Sequence, residues 1–393
     1  MSGAAGWDVD ALLDDRATTV LVCCGSGGVG KTTTAAALAL RAAERGRTVC
    51  VLTIDPARRL AQSMGLAELD NTPRPVPGSD AGGGSLDAMM LDMKRTFDDV
   101  VLAHTTPDKA EQIFANPFYQ ALSSSFAGTQ EYMAMEKLGQ LRAERAPAGG
   151  GPRWDLVIVD TPPTRSALDF LDAPQNLGTF LDGRFLRLLV APARLTGRSY
   201  LKVVSGTLGL FTRVITKILG AQLLTDLSQF VSALETMFGG FRERAKTTYD
   251  MLAAPGTAFV VVATPEPAAL REAAFFVDRL AHEHMPLAGV VINRVHRTTA
   301  SLSRERALAA AEELTARASA ADDGAEAVLR VHAERAALET REGRLVGSFT
   351  HGHPAVAVAE VTARAGDVHD LAGLRGLGAE LAAAGRPAPG LSS

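Results

Sequence analysis

The chain has few cysteines, and none of them has a metal-binding or redox spacing. Its 393 residues include three cysteines, and no Cys-x-x-Cys pair occurs. The sequence therefore excludes a Cys-x-x-Cys zinc clamp and a thioredoxin-like redox motif. Cys23, Cys24 and Cys50 all fall in short apolar runs, where a thiol usually packs as a small hydrophobic side chain.

Long apolar runs and basic segments are also missing. No charge-free apolar run reaches about 18 residues, the length that a membrane-spanning helix needs. The formal net charge is −4 and no arm is densely basic, so we expect no nucleic-acid partner. The N-terminal region is rich in aspartate and lacks the basic and apolar parts of a secretory signal. We therefore expect a cytoplasmic protein.

Short apolar, β-branched runs alternate with helical stretches along most of the chain. Runs of this kind are typical of buried parallel strands. Their alternation with helices predicts an α/β fold with a doubly wound, mostly parallel sheet. The predicted strands are 18–24, 48–54, 85–91, 156–159, 258–263 and 288–292. A surface helix over 305–339, a strand over 353–358 and a helix over 371–384 would complete the chain.

The run from Gly25 to Thr32 fits the phosphate-binding pattern Gly-x-x-x-x-Gly-Lys-[Ser/Thr] in full. It lies between the first predicted strand and an Ala- and Leu-rich helical run, 32–43. Its glycines let backbone N–H groups form an anion nest at the helix N-terminus. Lys31 would place its charge on the β- and γ-phosphates, and Thr32 would offer a hydroxyl to Mg²⁺. The predicted nucleoside triphosphate contacts are Gly25, Ser26, Gly27, Gly28, Val29, Gly30, Lys31, Thr32 and Thr33.

A second acidic position follows from the strand over 156–159. Asp160 comes directly after this strand, where a Walker-B carboxylate faces Mg²⁺ or its water. Without the phosphate-binding loop, Asp160 would be only a strand-terminating residue. With the loop, metal coordination is the better interpretation.

Three segments together resemble a known family. They are the loop Gly-x-Gly-Gly-Val-Gly-Lys-Thr-Thr, the segment Thr-x-Asp-Pro-Ala that contains Asp55, and the segment Asp-Thr-x-Pro-Thr that begins at Asp160. This set is similar to that of the deviant-Walker ATPases, and most to the ArsA-like family of arsenite-pump and tail-anchored-protein-targeting ATPases. The resemblance covers roughly residues 18–295.

The resemblance implies an ATPase that uses ATP and Mg²⁺ and works as a dimer. The predicted catalytic residues are Asp55 and Lys31. Asp55 would orient the attacking water in the first switch. Thr32, Asp55 and Asp160 would form the metal site. Asn293 resembles the strand-end asparagine that reads the adenine edge in this family. An ordinary turn residue is the alternative for Asn293.

The departures from the family pattern bear on function. Many members have a lysine at the second loop position that crosses the dimer interface, and this chain has Ser26. A homodimer would lack that charge, so a heterodimer with a paralogous ATPase that keeps the lysine is an alternative. The resemblance makes the segment from Asp160 to Thr164 the second switch, and Arg165 follows it, where it would either supply charge in cis or lie on the surface. Metalloid transport is poorly supported, because the helical insertions have no cysteine.

The domain prediction is a single P-loop ATPase domain over 1–393 with two helical insertions, 95–145 and 180–253, and a disordered tail, 385–393. Two apolar stripes at helical spacing occupy 200–219 and 221–241. They would pack as core, hold the apolar helix of a client protein, or contact a membrane surface peripherally through an all-positive polar face. All three interpretations stay open.

We therefore expect a nucleotide-driven dimer switch whose insertion binds a client, a partner or a membrane. One rival is a ParA/MinD-like positioning ATPase, which needs a basic face or a C-terminal amphipathic anchor. Another is a small-molecule kinase or ligase, which needs a polar acceptor pocket. A third is a nucleotide-binding pseudoenzyme paired with an active paralogue, an alternative that Ser26 supports.

Overall fold

A sheet of eight strands organises the part of the chain that the computed structural model describes. The strands are β1 (Val20–Cys24), β2 (Thr48–Thr53), β3 (Arg74–Pro75), β4 (Ser85–Met90), β5 (Leu156–Asp160), β6 (Thr257–Ala263), β7 (Leu287–Val295) and β8 (Val358–Thr362). The described residues are 7–55, 59–117, 119–120, 123, 129–147, 150–162, 243–244, 246–317 and 323–384.

The strand order is β3-β4-β2-β5-β1-β6-β7-β8. Every neighbouring pair is parallel except β3 with β4. The chain passes from β1 to β2 on one side of β1, and β6 lies on its other side. Ligands of open α/β sheets bind at such a switch point, beyond the carboxyl ends of the strands. This topology therefore places the end of β1 at the expected binding crevice.

Several of the described helices pack directly against the sheet. After β1, the helix α2 (Lys31–Glu44) is buried along most of its length, because its small alanines allow close approach. The other helices are α1 (Val9–Asp14), α3 (Arg59–Ser63), α4 (Met93–His104), α5 (Pro107–Phe114), α6 (Thr129–Ala143), α7 (Pro267–His282), α8 (Arg304–Arg317), α9 (Asp323–Gly352) and α10 (Leu371–Ala384).

Contacts divide the chain into two units. One comprises Met1–Met90, Ala146–Arg165 and Leu252–Ser393, and the other comprises Leu91–Arg145 and Ser166–Met251. The first unit contains the sheet. In the second, α4 packs against α5 and α6. The prediction of a single domain with two insertions stays a prediction.

The second unit contains a small polar and aromatic network. The Tyr119 hydroxyl donates to Asp98 Oδ1 at 2.5 Å, and its ring meets Phe97 edge to face. The Arg244 guanidinium donates to the buried Glu136 carboxylate at 3.0 Å. These contacts connect segments that lie far apart in the sequence.

The predicted α/β fold class is confirmed, and the six predicted strands occur with ends shifted by a few residues. The strand expected over 353–358 is wrong, because α9 continues to Gly352 and His353 N–H still bonds back to the Phe349 carbonyl. The strand β8 begins at Val358 instead. The helix expected over 305–339 occurs as two helices, α8 and α9. Arg74–Pro75 was not expected, because two residues give no periodicity.

Several predictions lie outside the described residues. They include Arg165, most of the insertion over 180–253 with both of its apolar stripes, and the tail 385–393. Across the residues that are described, no helix has the length and apolarity needed to cross a membrane.

Candidate functional site

The phosphate-binding loop follows β1 and depends on glycine at two close approaches. At Gly25, φ is +145°, and a Cβ atom would lie 2.1 Å from the Val262 carbonyl oxygen. At Gly30, φ is +96°, and a Cβ atom would lie 2.3 Å from Asn293 Nδ2. No L side chain fits either position without displacing its neighbours. The loop is thereby pressed against β6 on one side and the end of β7 on the other.

Lys31 begins α2 and is buried beneath the loop. Its Nζ donates to the Ser26 carbonyl at 2.7 Å. Burial lowers the pKa of Lys31, and the nearby carboxylates Asp160 and Asp55 oppose that change. A polyphosphate in the loop would add negative charge and would therefore favour the protonated form.

Asp160 ends β5 and is fully buried. Its Oδ2 accepts hydrogen bonds from Thr32 Oγ1 at 2.7 Å and from Thr53 Oγ1 at 2.8 Å. Within the described part of the chain, its buried Oδ1 has no hydrogen-bond partner. Burial raises the pKa of Asp160 to about 6, although both hydroxyl donors and Lys31 oppose the rise. A buried carboxylate oxygen without a partner needs an explanation, such as a bound ion.

The donor set at this point suits Mg²⁺. Asp160 and the Thr32 hydroxyl supply hard oxygen ligands, and Mg²⁺ usually takes one or two carboxylates and completes its octahedron with water and phosphate oxygens. The described residues contain no group of three or more His, Cys, Asp or Glu side chains that would form an all-protein metal cage. The open Oδ1 of Asp160 therefore fits a cation that arrives with a nucleotide.

Thr53 has a role that sequence reasoning missed. Its hydroxyl donates to Asp160 Oδ2 and accepts from the Asp55 backbone N–H at 3.3 Å. It thereby joins the half-buried Asp55 to the end of β5. The pairing of β2 with β5 places Thr53 opposite Asp160. The shared carboxyl edge of two parallel strands was the available signal for this contact.

Asn293 lies against the loop because β7 is irregular at this point. The pairing of β7 with β8 shifts between Ile292 and Val295, and Arg294 adopts φ +63°. Asn293 Nδ2 donates to the Val29 carbonyl at 2.8 Å, and its Oδ1 accepts from the Arg294 N–H at 2.9 Å. Each end of the amide keeps capacity for one more bond, which is what an adenine edge would need.

A cavity of about 470 Å³ lies beside the loop, within the size range of ligand pockets. It lies between the loop, the beginning of α7 and the end of β7. Its charged side chains are Glu266, Glu272 and Arg294, and its remaining lining residues are Ser26, Gly27, Gly28, Val29, Thr264, Ala268 and Ala269.

The predicted site residues thus meet at one edge of the sheet. Lys31, Thr32 and Asp160 are brought together directly, and Asp55 joins them through Thr53. Thr33 is half-buried in the first turn of α2. The first-switch residues 56–58 and the second switch beyond 162 are outside the described residues, and their predicted roles stay predictions.

Comparisons with known proteins agree with this architecture. Protein Rv2184c of Mycobacterium tuberculosis is 31% identical over 179 residues, which cover 40% of this chain and 38% of that protein. ATPase GET3 of Podospora anserina is 26% identical over 296 residues, covering 73% and 76% of the two chains. ATPase GET3C of Arabidopsis thaliana is 25% identical over 281 residues, covering 69% and 65%. The aligned stretches therefore cover from 38% to 76% of the length of these relatives.

A family model also matches most of the sequence. The model described as Anion-transporting ATPase (ArsA ATPase) matches residues 18–305. The match begins just before β1 and ends in the first turn of α8, so it includes the loop, Asp55, Asp160 and Asn293. The chain therefore belongs to the ArsA family of anion-transporting ATPases.

Proposed function

We propose that the chain binds ATP with Mg²⁺ at residues 25–33 and hydrolyses it. The observation that carries this proposal is the fully buried Asp160 carboxylate. It is bonded to Thr32 through one oxygen and keeps the other without a described partner. A carboxylate and a hydroxyl in this arrangement, at the end of a phosphate-binding loop, are suited to a metal–triphosphate complex.

Each residue of the site has a distinct part in this proposal. The loop amides and Lys31 would bind the phosphates, and the Lys31 ammonium would leave the Ser26 carbonyl to do so. Asp55 would orient the attacking water. Thr32 and Asp160 would hold Mg²⁺, which when bound neutralises charge on the β- and γ-phosphates. Asn293 would contact the base.

We propose further that hydrolysis drives a dimer switch. Asp55 and Asp160 lie in the two switch segments, and Thr53 bonds to both. Loss of the γ-phosphate would alter both segments together, a common route from hydrolysis to movement. The helical insertion over 180–253 would then bind or release a client protein with an apolar helix. Alternatively, this cytoplasmic protein would bind a membrane surface peripherally through the same insertion. The two apolar stripes of its sequence support this role.

Ser26 supports a paralogous ATPase as the partner. It lines the cavity beside the loop together with Glu266 and Glu272. Phosphates bound in the loop would accept a lysine from a second subunit, whereas Ser26 has no cation to return. A heterodimer would then be more active than a homodimer. If this is correct, Ser26→Lys should raise the turnover of the chain alone, and rapid turnover by the unchanged homodimer would contradict it.

Calorimetry with ATP and Mg²⁺ tests the binding proposal. The wild-type chain should take up ATP in a magnesium-dependent manner, and Lys31→Ala should lose that uptake. Lys246→Ala, at an exposed lysine, is the control and should bind as the wild type does. Absence of uptake by the folded wild type would refute the proposal.

A nucleotide-binding pseudoenzyme is the second candidate, and Ser26 is the observation that favours it. Phosphate release separates the two, because a pseudoenzyme would bind ATP without turnover. Addition of an apolar helical peptide, of DNA or of anionic vesicles separates a client ATPase from a ParA/MinD-like positioning ATPase. Stimulation by the peptide alone supports the client role.

A further inference from the structure

The segment that carries Asn293 has an unfavourable backbone conformation that other residues must hold. Arg294 is in the left-handed region, which a non-glycine residue adopts only when its surroundings enforce it. The neighbouring register shift in β7 has the character of a β-bulge, a feature that redirects side chains near functional sites. Hydrogen bonds to His296 and Thr298 hold the segment directly after it.

Two carboxylates of α9 form hydrogen bonds to this segment. Glu342 is buried, and its two oxygens contact the same residue. Oε2 accepts from the His296 backbone N–H at 2.7 Å, and Oε1 lies 2.8 Å from His296 Nδ1. Glu339 Oε2 accepts from the Thr298 N–H at 2.9 Å and from its hydroxyl at 2.7 Å. We call these contacts of Glu342 and Glu339 the α9 clamp.

The orientation of the Asn293 amide depends on this segment. Its Nδ2 end is fixed by the Val29 carbonyl, and its Oδ1 end is fixed by the Arg294 N–H. The Arg294 N–H reaches Oδ1 in the bulged conformation of β7. A released bulge would therefore let the amide turn or withdraw, and its remaining donor and acceptor would no longer face a base in a fixed order.

We propose that the α9 clamp determines how strongly the site distinguishes adenine from other bases. Glu342 and Glu339 act as positioning residues: they hold residues 293–298, and these residues aim the Asn293 amide. The inference rests on the proposed nucleotide site and adds to it the source of base selectivity. It assigns the phosphates to the loop and the selectivity to a clamp on the segment that follows Asn293.

Calorimetry of Glu342→Ala with Mg²⁺ and three probes tests this inference. The probes are ATP, ITP and inorganic tripolyphosphate, which has no base. Loss of the Glu342 contacts should weaken ATP binding by roughly tenfold, the scale of one charge-assisted hydrogen bond. Tripolyphosphate affinity should stay unchanged, and the preference for ATP over ITP should fall. Glu342→Gln should keep most of that preference, because its carbonyl still accepts from the His296 N–H.

Glu334→Ala is the matched control, because Glu334 is an exposed glutamate on the same helix. It should bind all three probes as the wild type does. An equal loss for ATP and tripolyphosphate in Glu342→Ala, or an unchanged ATP-to-ITP ratio, overturns the inference. If Glu342→Ala does not fold, Thr298→Val removes one bond of the clamp and should lower the same ratio by a smaller factor. An unchanged ATP-to-ITP ratio in Thr298→Val would also overturn the inference.

The wild type separates this inference from the proposed function. If the wild type binds no ATP, the proposed function fails and the inference fails with it. If the wild type binds ATP, but no more tightly than it binds ITP or tripolyphosphate, only the inference fails.

Discussion

Two buried charges lie at opposite ends of the central strands, and their surroundings differ. Arg47 precedes β2 and is fully buried. Asp160 ends β5 and is also fully buried. Asp160 keeps one oxygen without a described partner. Every guanidinium N–H of Arg47 has an acceptor, namely Asp155 Oδ1, the Asp155 carbonyl and the carbonyls of Leu13, Asp15 and Thr18.

The difference separates a structural charge from a functional one. A buried charge is tolerated when it is paired and fully hydrogen-bonded, and Arg47 meets that condition without any ligand. Asp160 does not meet it, so its carboxylate destabilises the ligand-free protein until a cation reaches it. Substitutions at the two positions should therefore affect stability with opposite signs near neutral pH.

The largest effect should follow Arg47→Ala. This change leaves buried carbonyls and part of the Asp155 carboxylate without their donor, so we expect the free energy of unfolding to fall by about 3–5 kcal/mol. Urea unfolding measures it. Arg16→Ala is the control, because Arg16 also pairs with Asp155 but is mostly exposed; its effect should stay below about 1 kcal/mol. Equal effects of the two changes would contradict the structural role of Arg47.

A pH-dependent effect should distinguish Asp160. Its pKa is about 6 in the folded chain against 3.8 for an ordinary aspartate, so the folded state binds the proton more tightly. Ionisation as the pH rises through this window therefore lowers the stability of the ligand-free protein, by about 3 kcal/mol in total. Asp160→Asn lacks this titration. The stability of the variant relative to wild type should rise by about that amount between pH 4 and pH 7.5.

The stabilities of the wild type and Asp160→Asn are compared at each pH. This removes the contributions of the other carboxylates, because both proteins share them. Addition of ATP with Mg²⁺ at pH 7.5 should stabilise the wild type and leave Asp160→Asn unchanged, because only the ionised carboxylate attracts the cation. A pH-independent difference between the two proteins would show that Asp160 is not an uncompensated buried charge.

The nucleotide end of the sheet was more predictable from the sequence than its supports. The loop and Asp160 depend on short local patterns, a glycine-rich turn and an acid after an apolar run, and such patterns are visible without a structure. The Arg47 network, the Thr53 contact and the α9 clamp join residues far apart in the sequence. His296 and Glu342 are separated by 46 positions, and neither has a local pattern that indicates its partner.

The prediction of strand ends and short elements from the sequence was limited for a related reason. The position of β8 depends on where α9 ends, at Gly352, and on residues 353–357, which are neither helix nor strand. The two-residue β3 exists only through its pairing with β4. Periodicity measures burial along one segment, so it locates long buried elements and misses those that depend on a neighbour.

Gly30→Ala should extend the comparison to the loop, with a smaller effect. Both Gly28 and Gly30 have positive φ, but an added Cβ at Gly28 meets no atom within 4 Å, whereas at Gly30 it meets Asn293 Nδ2. Gly28→Ala and Gly30→Ala should share a backbone strain of about 1 kcal/mol. Gly30→Ala should add about 1 kcal/mol for the lost bond between Asn293 and Val29. Thermal unfolding measures the difference, and identical values would place Asn293 away from the loop in solution.

The smallest effect should follow Thr53→Val, which keeps the shape of the side chain and removes its hydroxyl. Asp160 loses one of the two donors that lower its pKa, so that pKa should rise further, and stability should fall by about 1 kcal/mol. The midpoint of magnesium-dependent ATP binding against pH should then move upward, because a higher pH is needed to ionise the carboxylate. Thr53→Ser retains the donor and should behave as the wild type does. If both variants shift the midpoint equally, packing at Thr53 and not its hydroxyl controls Asp160, and the contrast with the fully satisfied Arg47 would then depend on burial alone.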